Sequence, residues 1–155
     1  MIETILAWMS GARADGPRQP RRDDLQLALT ALLVEAAYSD DRFDEAERSV
    51  VAHLLESRFN LSQSDTAALI SAGERESAQS TELFRFTRTV NERLSFQERV
   101  ELVEMLWEVA YADGVLDPYE DSLLRRVSGL IYVPDRERGL ARRRILDRRG
   151  LDHAI

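Results

Sequence analysis

The sequence predicts an all-α protein, a compact bundle of about seven to eight helices built from two similar helix–loop–helix halves. Apolar residues recur at helical spacing over most of the chain. No segment alternates apolar and polar residues for long enough to make a β-strand. Two stretches, EAAYSDDRFDEAERS from Glu35 and EVAYADGVLDPYEDS from Glu108, repeat an acidic pattern 73 residues apart. With 155 residues and 44% hydrophobic content, one domain can bury a proper core.

Three segments are predicted along the chain. Residues 1–22 hold a short N-terminal helix, Ile2 to Met9, and a flexible connector rich in Pro, Gly and Arg. Residues 23–149 form the helical domain with an Arg-rich C-terminal helix, and residues 150–155 form a tail. Apolar spacing and caps predict the domain's helices from about Asp24 to Tyr38, Glu45 to Arg58, from Ser62, Thr81 to Arg93, from Ser95, after Asp117 and from Pro134.

Local signals justify these elements in order. The first helix has leucines at helical spacing, beginning with Leu25 and Leu29, and the third opens with Ser62 as its cap. The fifth starts with the capping-box pattern S-F-Q-E at Ser95, in which a later Glu reaches back to the cap amide. Aromatic residues of the fourth and fifth helices are predicted to be core rather than a ligand box, namely Phe84, Phe86 and Trp107.

The second and sixth helices begin within the repeated acidic stretches. Asp44-x-x-Glu47 and Asp117-x-x-Glu120 both fit the capping box, in which each capping side chain contributes about 1 kcal/mol. Pro118 suits the first helical position, where the missing amide has no partner to lose. Gly114 is predicted to end the preceding helix in a left-handed turn.

Charge is unevenly distributed in this chain, whose net charge is −7. From Asp23 to Pro134 there are 22 acidic residues against 10 arginines, and such a body repels nucleic acid. From Asp135 to Arg149 there are seven arginines against three acids. This Arg-rich helix either binds an anionic partner or, as we favour, forms a solvated face or docks on the acidic body of its own chain.

Several cellular and chemical classes are disfavoured by composition. The absence of cysteine excludes disulfides and thiolate chemistry and suits a cytoplasmic location, which is our prediction. No apolar run approaches the roughly 20 residues of a membrane span, and Glu3 stands where a signal peptide needs positive charge. Trp8 and Met9 are predicted to dock onto the bundle, with a partner protein or a membrane surface as the alternatives, and the apolar opening segment leaves a homodimer open.

Eight carboxylates of the two repeated stretches are candidate ligands for a divalent cation: Glu35, Asp40, Asp44, Glu47, Glu108, Asp113, Asp117 and Glu120. Capping explains the acids that begin helices, but acids at a helix C-terminus oppose the helix dipole. Oxygen-only ligands favour Ca²⁺, Mg²⁺ or Mn²⁺. The EF-hand pattern and the Glu-x-x-His pattern of di-iron bundles are both missing. Capping with a solvated acidic edge therefore remains the alternative to metal binding.

Three stretches, LLVEAAYSDDRFDEAE, LFRFTRTVNE and LWEVAYADGVLDPYEDSLLRRV, resemble the bacterial TerB-like family, named for tellurite-resistance protein B. The resemblance spans roughly Asp23 to Asp147 and is closest to the stand-alone, single-domain branch. It implies a helical bundle of two similar halves, metal-binding acids, and a link to tellurite and stress resistance. The acids that match are Asp40, Asp44 and Glu47 in one copy and Asp113, Asp117 and Glu120 in the other, to which the repeat adds Glu35 and Glu108.

The sequence predicts a non-enzymatic module that binds a divalent cation and presents a helical surface to a protein partner. The alternative is a structural protein-interaction domain whose acids only cap helices and keep the surface charged. An enzyme is disfavoured because no cysteine, no histidine near the acidic loops and no Gly-rich phosphate loop is present. No organic cofactor is predicted.

Overall fold

A computed structural model describes residues 20–37, 44–79, 83–112, 114, 116 and 118–150. Within these residues the chain folds into seven α-helices and no strand, which confirms the all-α prediction. The helices are α1 (Pro20–Ala37), α2 (Glu45–Phe59), α3 (Gln63–Gln79), α4 (Phe84–Arg93), α5 (Phe96–Ala110), α6 (Pro118–Leu130) and α7 (Asp135–Arg149). The predicted Ile2–Met9 helix, most of the connector and the tail after Gly150 lie outside the described residues.

Side-chain caps fix several helix starts as predicted. At α2, Asp44 Oδ1 accepts from the Glu47 amide at 3.0 Å, and Glu47 Oε1 accepts from the Asp44 amide at 3.1 Å. The same box opens α5, where Ser95 and Glu98 exchange hydrogen bonds of 3.2 and 2.7 Å. These reciprocal bonds satisfy amides that would otherwise lack partners at a helix N-terminus.

Two further predictions, the glycine turn after α5 and the proline start of α6, are also confirmed. Gly114 has φ of 86°, in the left-handed region that glycine adopts without steric cost, and Pro118 is the first residue of α6. The predicted start of the fourth helix at Thr81 lies outside the described residues, among which α4 begins at Phe84. Leu83 occupies its cap position and has no side-chain acceptor to hold an earlier turn.

The core lies around two long, central helices, α1 and α5. Both are buried over most of their length, and α1 packs against α3, α4, α5 and α2. Phe86 and Trp107 are core residues as predicted. Phe84 is a correction, because it is 58% exposed: it precedes Phe86 by two positions and so lies on the other side of α4.

Close approach of α1 and α3 depends on one glycine. A Cβ atom added to Gly73 of α3 would lie 2.6 Å from Thr30 Cγ2 and 3.4 Å from the Ala31 backbone nitrogen of α1. No side chain fits there without a shift of Thr30 or of the helix. Gly73 therefore sets the distance between these two helices.

The helix boundaries on either side of the two acidic loops follow the 73-residue offset. Ala37 ends α1 and Ala110 ends α5, while Glu45 begins α2 and Pro118 begins α6. The third pair, α3 and α7, begins one residue away from that offset. The shape shared by the two acidic loops, which the repeat predicts, lies outside the described residues, because residues 38–43 and 113, 115 and 117 are among those not described.

Candidate functional site

The described residues place five of the eight predicted ligands on the helices that flank the two acidic loops. We call residues 38–43, between α1 and the Asp44 cap of α2, the first acidic loop, and residues 111–117, between α5 and α6, the second acidic loop. Glu35, Asp44 and Glu47 flank the first loop, and Glu108 and Glu120 flank the second. The other three, Asp40, Asp113 and Asp117, lie outside the described residues.

Asp44 and Glu47 are held by the capping box that opens α2. Capping uses Oδ1 of Asp44 and Oε1 of Glu47, so one oxygen of each carboxylate accepts a hydrogen bond from a backbone amide. Glu47 is 7% exposed, whereas Asp44 is exposed at the loop. Capping explains the positions of these two residues without a metal ion, although Asp44 Oδ2 takes no part in the capping hydrogen bonds.

Glu35 lies near the C-terminus of α1, where its negative charge opposes the helix dipole. Its Oε2 atom accepts a hydrogen bond from the Ser77 hydroxyl of α3. Among the described residues no arginine forms an ion pair with it. A neutral hydroxyl thus orients this half-buried carboxylate but does not neutralise its charge.

Glu108 occupies the equivalent place at the end of α5 but has cationic partners. Its Oε1 atom lies 3.3 Å from Arg148 Nη1, and its Oε2 atom lies 3.6 Å from Arg149 Nη1. Arg149 also donates to the Ala112 carbonyl at 3.2 Å, next to the unsatisfied end of α5. The negative charge of Glu108 and the partial negative charge at the end of α5 are therefore both compensated by α7.

The Arg-rich helix α7 docks on the acidic body of the same chain, as the sequence favoured. Arg144 Nε lies 2.7 Å from Glu104 Oε2, Arg148 Nη2 lies 3.4 Å from Glu104 Oε1, and Arg142 Nε donates to the Tyr111 hydroxyl at 2.8 Å. Glu104 is only 2% exposed, and these contacts compensate its buried charge. In the sequence, the feature that could have indicated this docking face is the spacing of Arg144 and Arg148, which lie one turn apart on one face of α7.

Two further glutamates of this half, Glu101 and Glu120, are also buried. Glu120 is 3% exposed in the first turn of α6, and by the offset it matches Glu47. Glu101 is 1% exposed on α5, and neither of its carboxylate oxygens meets a donor in hydrogen-bond geometry. Burial raises the pKa of Glu101, and the positive charge of Arg58 opposes part of that rise. Sequence reasoning missed Glu101 and Glu104, although both share one face of α5 with Glu108.

Metal binding can be tested against this donor set. Among the described residues, no three acidic or histidine side chains are close enough together to hold a metal ion. A site at the first loop would need Asp40 beside Glu35 and Asp44, and a site at the second would need Asp113 or Asp117. All of these donors are carboxylate oxygens, which fit a hard cation such as Ca²⁺, Mg²⁺ or Mn²⁺.

The family model described as tellurite resistance protein TerB matches residues 26–143 of this chain. That segment begins in α1, ends in α7 and includes both acidic loops. No curated protein and no solved structure matches the chain significantly. No helix in the described part of the chain combines the length and apolar character needed to cross a membrane.

Proposed function

The chain belongs to the tellurite resistance protein TerB family, and on that premise we propose that it is a non-enzymatic binding module whose first acidic loop holds a divalent cation. One observation supports this most: the acids that end α1 and α5 have different partners. Glu108 is paired with Arg148 and Arg149, whereas Glu35 has the Ser77 hydroxyl. A bound cation at the first loop would supply the positive charge that α7 supplies at the second.

The proposed ligands are the carboxylates of the first loop and its flanking helices. Asp44 contributes the oxygen that capping leaves over, Glu35 contributes Oε1, and Asp40 and Glu47 complete the set. Glu35, Asp44 and Glu47 do not by themselves form a group of three ligands, so the proposed site depends on Asp40 as well. The second loop is the weaker site in this proposal: Asp113, Asp117 and Glu120 remain its candidates, while the Glu108 carboxylate is engaged by arginines.

Titration calorimetry with Ca²⁺, Mg²⁺ and Mn²⁺ tests this proposal. The double variant Asp40→Asn with Asp44→Asn should weaken binding about tenfold or more, because it removes two ligand charges. Asparagine caps a helix as well as aspartate does, so α2 should stay intact. Asp65→Asn changes an exposed acid in the first turn of α3 and is the matched control. An absence of heat with all three ions, or equal weakening in the control, would reject the cation site.

A structural protein-interaction domain is the second candidate, and the capping box at α2 favours it. Asp44 and Glu47 already form reciprocal bonds with the backbone, so these two acids have a purely structural use. On this hypothesis Asp40→Asn with Asp113→Asn leaves both thermal stability and partner binding unchanged in the presence of divalent ions. Under the cation hypothesis, added Ca²⁺ or Mn²⁺ stabilises the natural chain more than this variant.

The family description also motivates a role during tellurite stress. Expression of the chain in a tellurite-sensitive bacterial strain tests it directly. Growth on tellurite should improve with the natural sequence and not with Asp40→Asn and Asp44→Asn together. Equal growth with both sequences would separate any resistance role from the cation site.

A further inference from the structure

A cavity of about 510 Å³ lies between α5, α6 and α7, on the flank of the second acidic loop. This volume falls in the range of sites that hold small organic molecules. Leu116 and Pro118 give it apolar surface at the start of α6, whereas Trp107, which borders the cavity, is only 1% exposed. The cavity therefore offers an aliphatic surface that suits an apolar body.

Arginines make up most of the polar lining of this cavity. Arg125 comes from α6, and Arg138 and Arg142 come from α7, while Asp121 is the one acid among the described lining residues. Although the net charge of the chain is −7, the described residues that line this cavity carry three positive charges and one negative charge. Charges of one sign in a cleft with low-dielectric walls concentrate ligands of the opposite sign.

Contacts within the protein orient these arginines before any ligand arrives. Arg142 donates from Nε to the Tyr111 hydroxyl at 2.8 Å, and its guanidinium carbon lies 5.8 Å from the centre of the Trp107 ring. Arg138 is 14% exposed and donates to Asp135 at 2.6 Å. Arg125 pairs with Asp121 through Nε at 3.2 Å, which leaves its two terminal nitrogens without a partner among the described residues. A guanidinium fork held in this way matches the two oxygens of a carboxylate or phosphate.

We propose that this cavity binds a small organic anion, in which a carboxylate or phosphate meets the arginines and an apolar body lies against Leu116 and Pro118. The two headgroups share the same chemistry, which is a planar or tetrahedral group of oxygens with negative charge. Simple probes separate them: benzoate carries the carboxylate, phenyl phosphate carries the phosphate, and benzyl alcohol is the uncharged analogue. Neither the cation site nor its ligands enter this proposal.

Gly139 gives the proposal a clean blocking variant. It lines the cavity on α7, it is exposed, and a Cβ atom added there meets nothing within 4 Å. Gly139→Leu should fill the cavity without strain and even favour the helix, since glycine is the weaker helix former by about 1 kcal/mol. Gly129→Leu in α6 is the matched control, because Gly129 is also exposed, also free of contacts at its Cβ and absent from the cavity lining.

The indole N–H signal of Trp107 is the readout in a titration followed by ¹H–¹⁵N NMR. This N–H donates to the Arg138 carbonyl at 3.1 Å, so it lies at the cavity wall, and the chain has only two tryptophans to assign. With the full chain and probes at about 10 mM, enough to saturate a millimolar site, benzoate or phenyl phosphate should shift this signal and benzyl alcohol should not.

Gly139→Leu should weaken binding about tenfold or more, Arg125→Gln should weaken it severalfold, and Gly129→Leu should leave it unchanged. The proposal is overturned if neither anion shifts the Trp107 signal, if benzyl alcohol shifts it equally, or if the two leucine variants bind alike. A folded Gly139→Leu protein is checked by its unchanged spectrum away from the cavity. If that variant does not fold, Arg125→Gln alone decides, because Arg125 is an exposed residue of α6.

Discussion

The central helices α1 and α5 occupy corresponding places at an offset of 73 residues, yet they meet their partner helices by different means. Glu35 of α1 accepts from a serine of α3, whereas Glu108 of α5 is paired with two arginines of α7. Among the described residues, the acid at this helix end therefore has no arginine partner in the first half and two arginine partners in the second. This difference is the reason for proposing the first acidic loop, rather than the second, as the cation site.

The contrast extends along the helices. Ala31 of α1 lies where the offset places Glu104 of α5, and both are buried. The α1–α3 contact is closed by small residues, with Gly73 against Thr30 and Ala31. The α5–α7 contact includes ion pairs between Glu104 and two arginines of α7. The first pair of helices is thus stabilised by close packing, and the second by ion pairs in addition to the buried side chains Ala141, Ile145 and Leu146.

The largest effect is expected where packing is closest. Gly73→Leu should lower the free energy of unfolding by about 3 kcal/mol or more, because even a Cβ atom there clashes with Thr30. Urea denaturation measures the change. Gly129→Leu is the control and should cost little, since a Cβ at that position meets nothing within 4 Å. Equal losses in the two variants would contradict steric closure of the α1–α3 contact.

Loss of charge in the second half should have the next largest effect. Arg144→Ala with Arg148→Ala leaves the buried Glu104 carboxylate without its partners and should cost about 2 kcal/mol, a value kept low because both arginines are half exposed. Adding Glu104→Met to that background should recover much of the loss in urea denaturation. No recovery would mean that the arginines act through packing of their side chains instead of through charge.

A smaller effect with a distinct pH dependence is expected at Glu101, which matches Ala28 of α1 by the offset. Burial raises the pKa of Glu101, so the folded state binds its proton more tightly than the unfolded state does. Its contribution to stability is thus complete below the ordinary pKa of 4.5 and is lost as the pH rises through the raised value. Glu101→Gln should stabilise the fold by about 1 kcal/mol at pH 7 and by less near pH 4. Thermal unfolding across this pH range checks it, and a gain that is independent of pH would contradict it.

The smallest effect is expected at the cap of α2. Asp44→Ala should cost about 0.5–1 kcal/mol in metal-free buffer, because one amide loses its acceptor, while Asp44→Asn should cost nearly nothing. Ser95→Ala at α5 should match Asp44→Ala, since the same box opens that helix. A large loss in Asp44→Asn without divalent ions would mean that this carboxylate does more than cap the helix.

Local signals were sufficient to predict most of the fold. The caps at Asp44 and Ser95, the glycine turn at Gly114 and the proline start of α6 depend on neighbouring residues, so the sequence contains them. Helical periodicity predicted the core, but it misassigned Phe84, because a helix start gives too few turns to define the buried face.

The long-range contacts could not be predicted in the same way. Docking of α7 was favoured from charge alone, but its partner Glu104 lies 40 residues from Arg144, and composition cannot choose among many acids. The role of Gly73 and the cavity beside Trp107 depend on how close two helices approach each other. Of the candidate ligands, the capping roles of Asp44 and Glu47 followed from spacing, whereas the arginine partners of Glu108 required the fold.

Paramagnetic broadening by Mn²⁺ in ¹H–¹⁵N spectra tests most directly whether the two acidic loops differ. The amide signals of Glu35 and Asp44 should broaden at lower Mn²⁺ concentrations than those of Glu108 and Glu120, because arginines already compensate the end of α5. Broadening that begins at Glu108, or no selective broadening at either loop up to about millimolar Mn²⁺, would contradict a cation site at the first acidic loop.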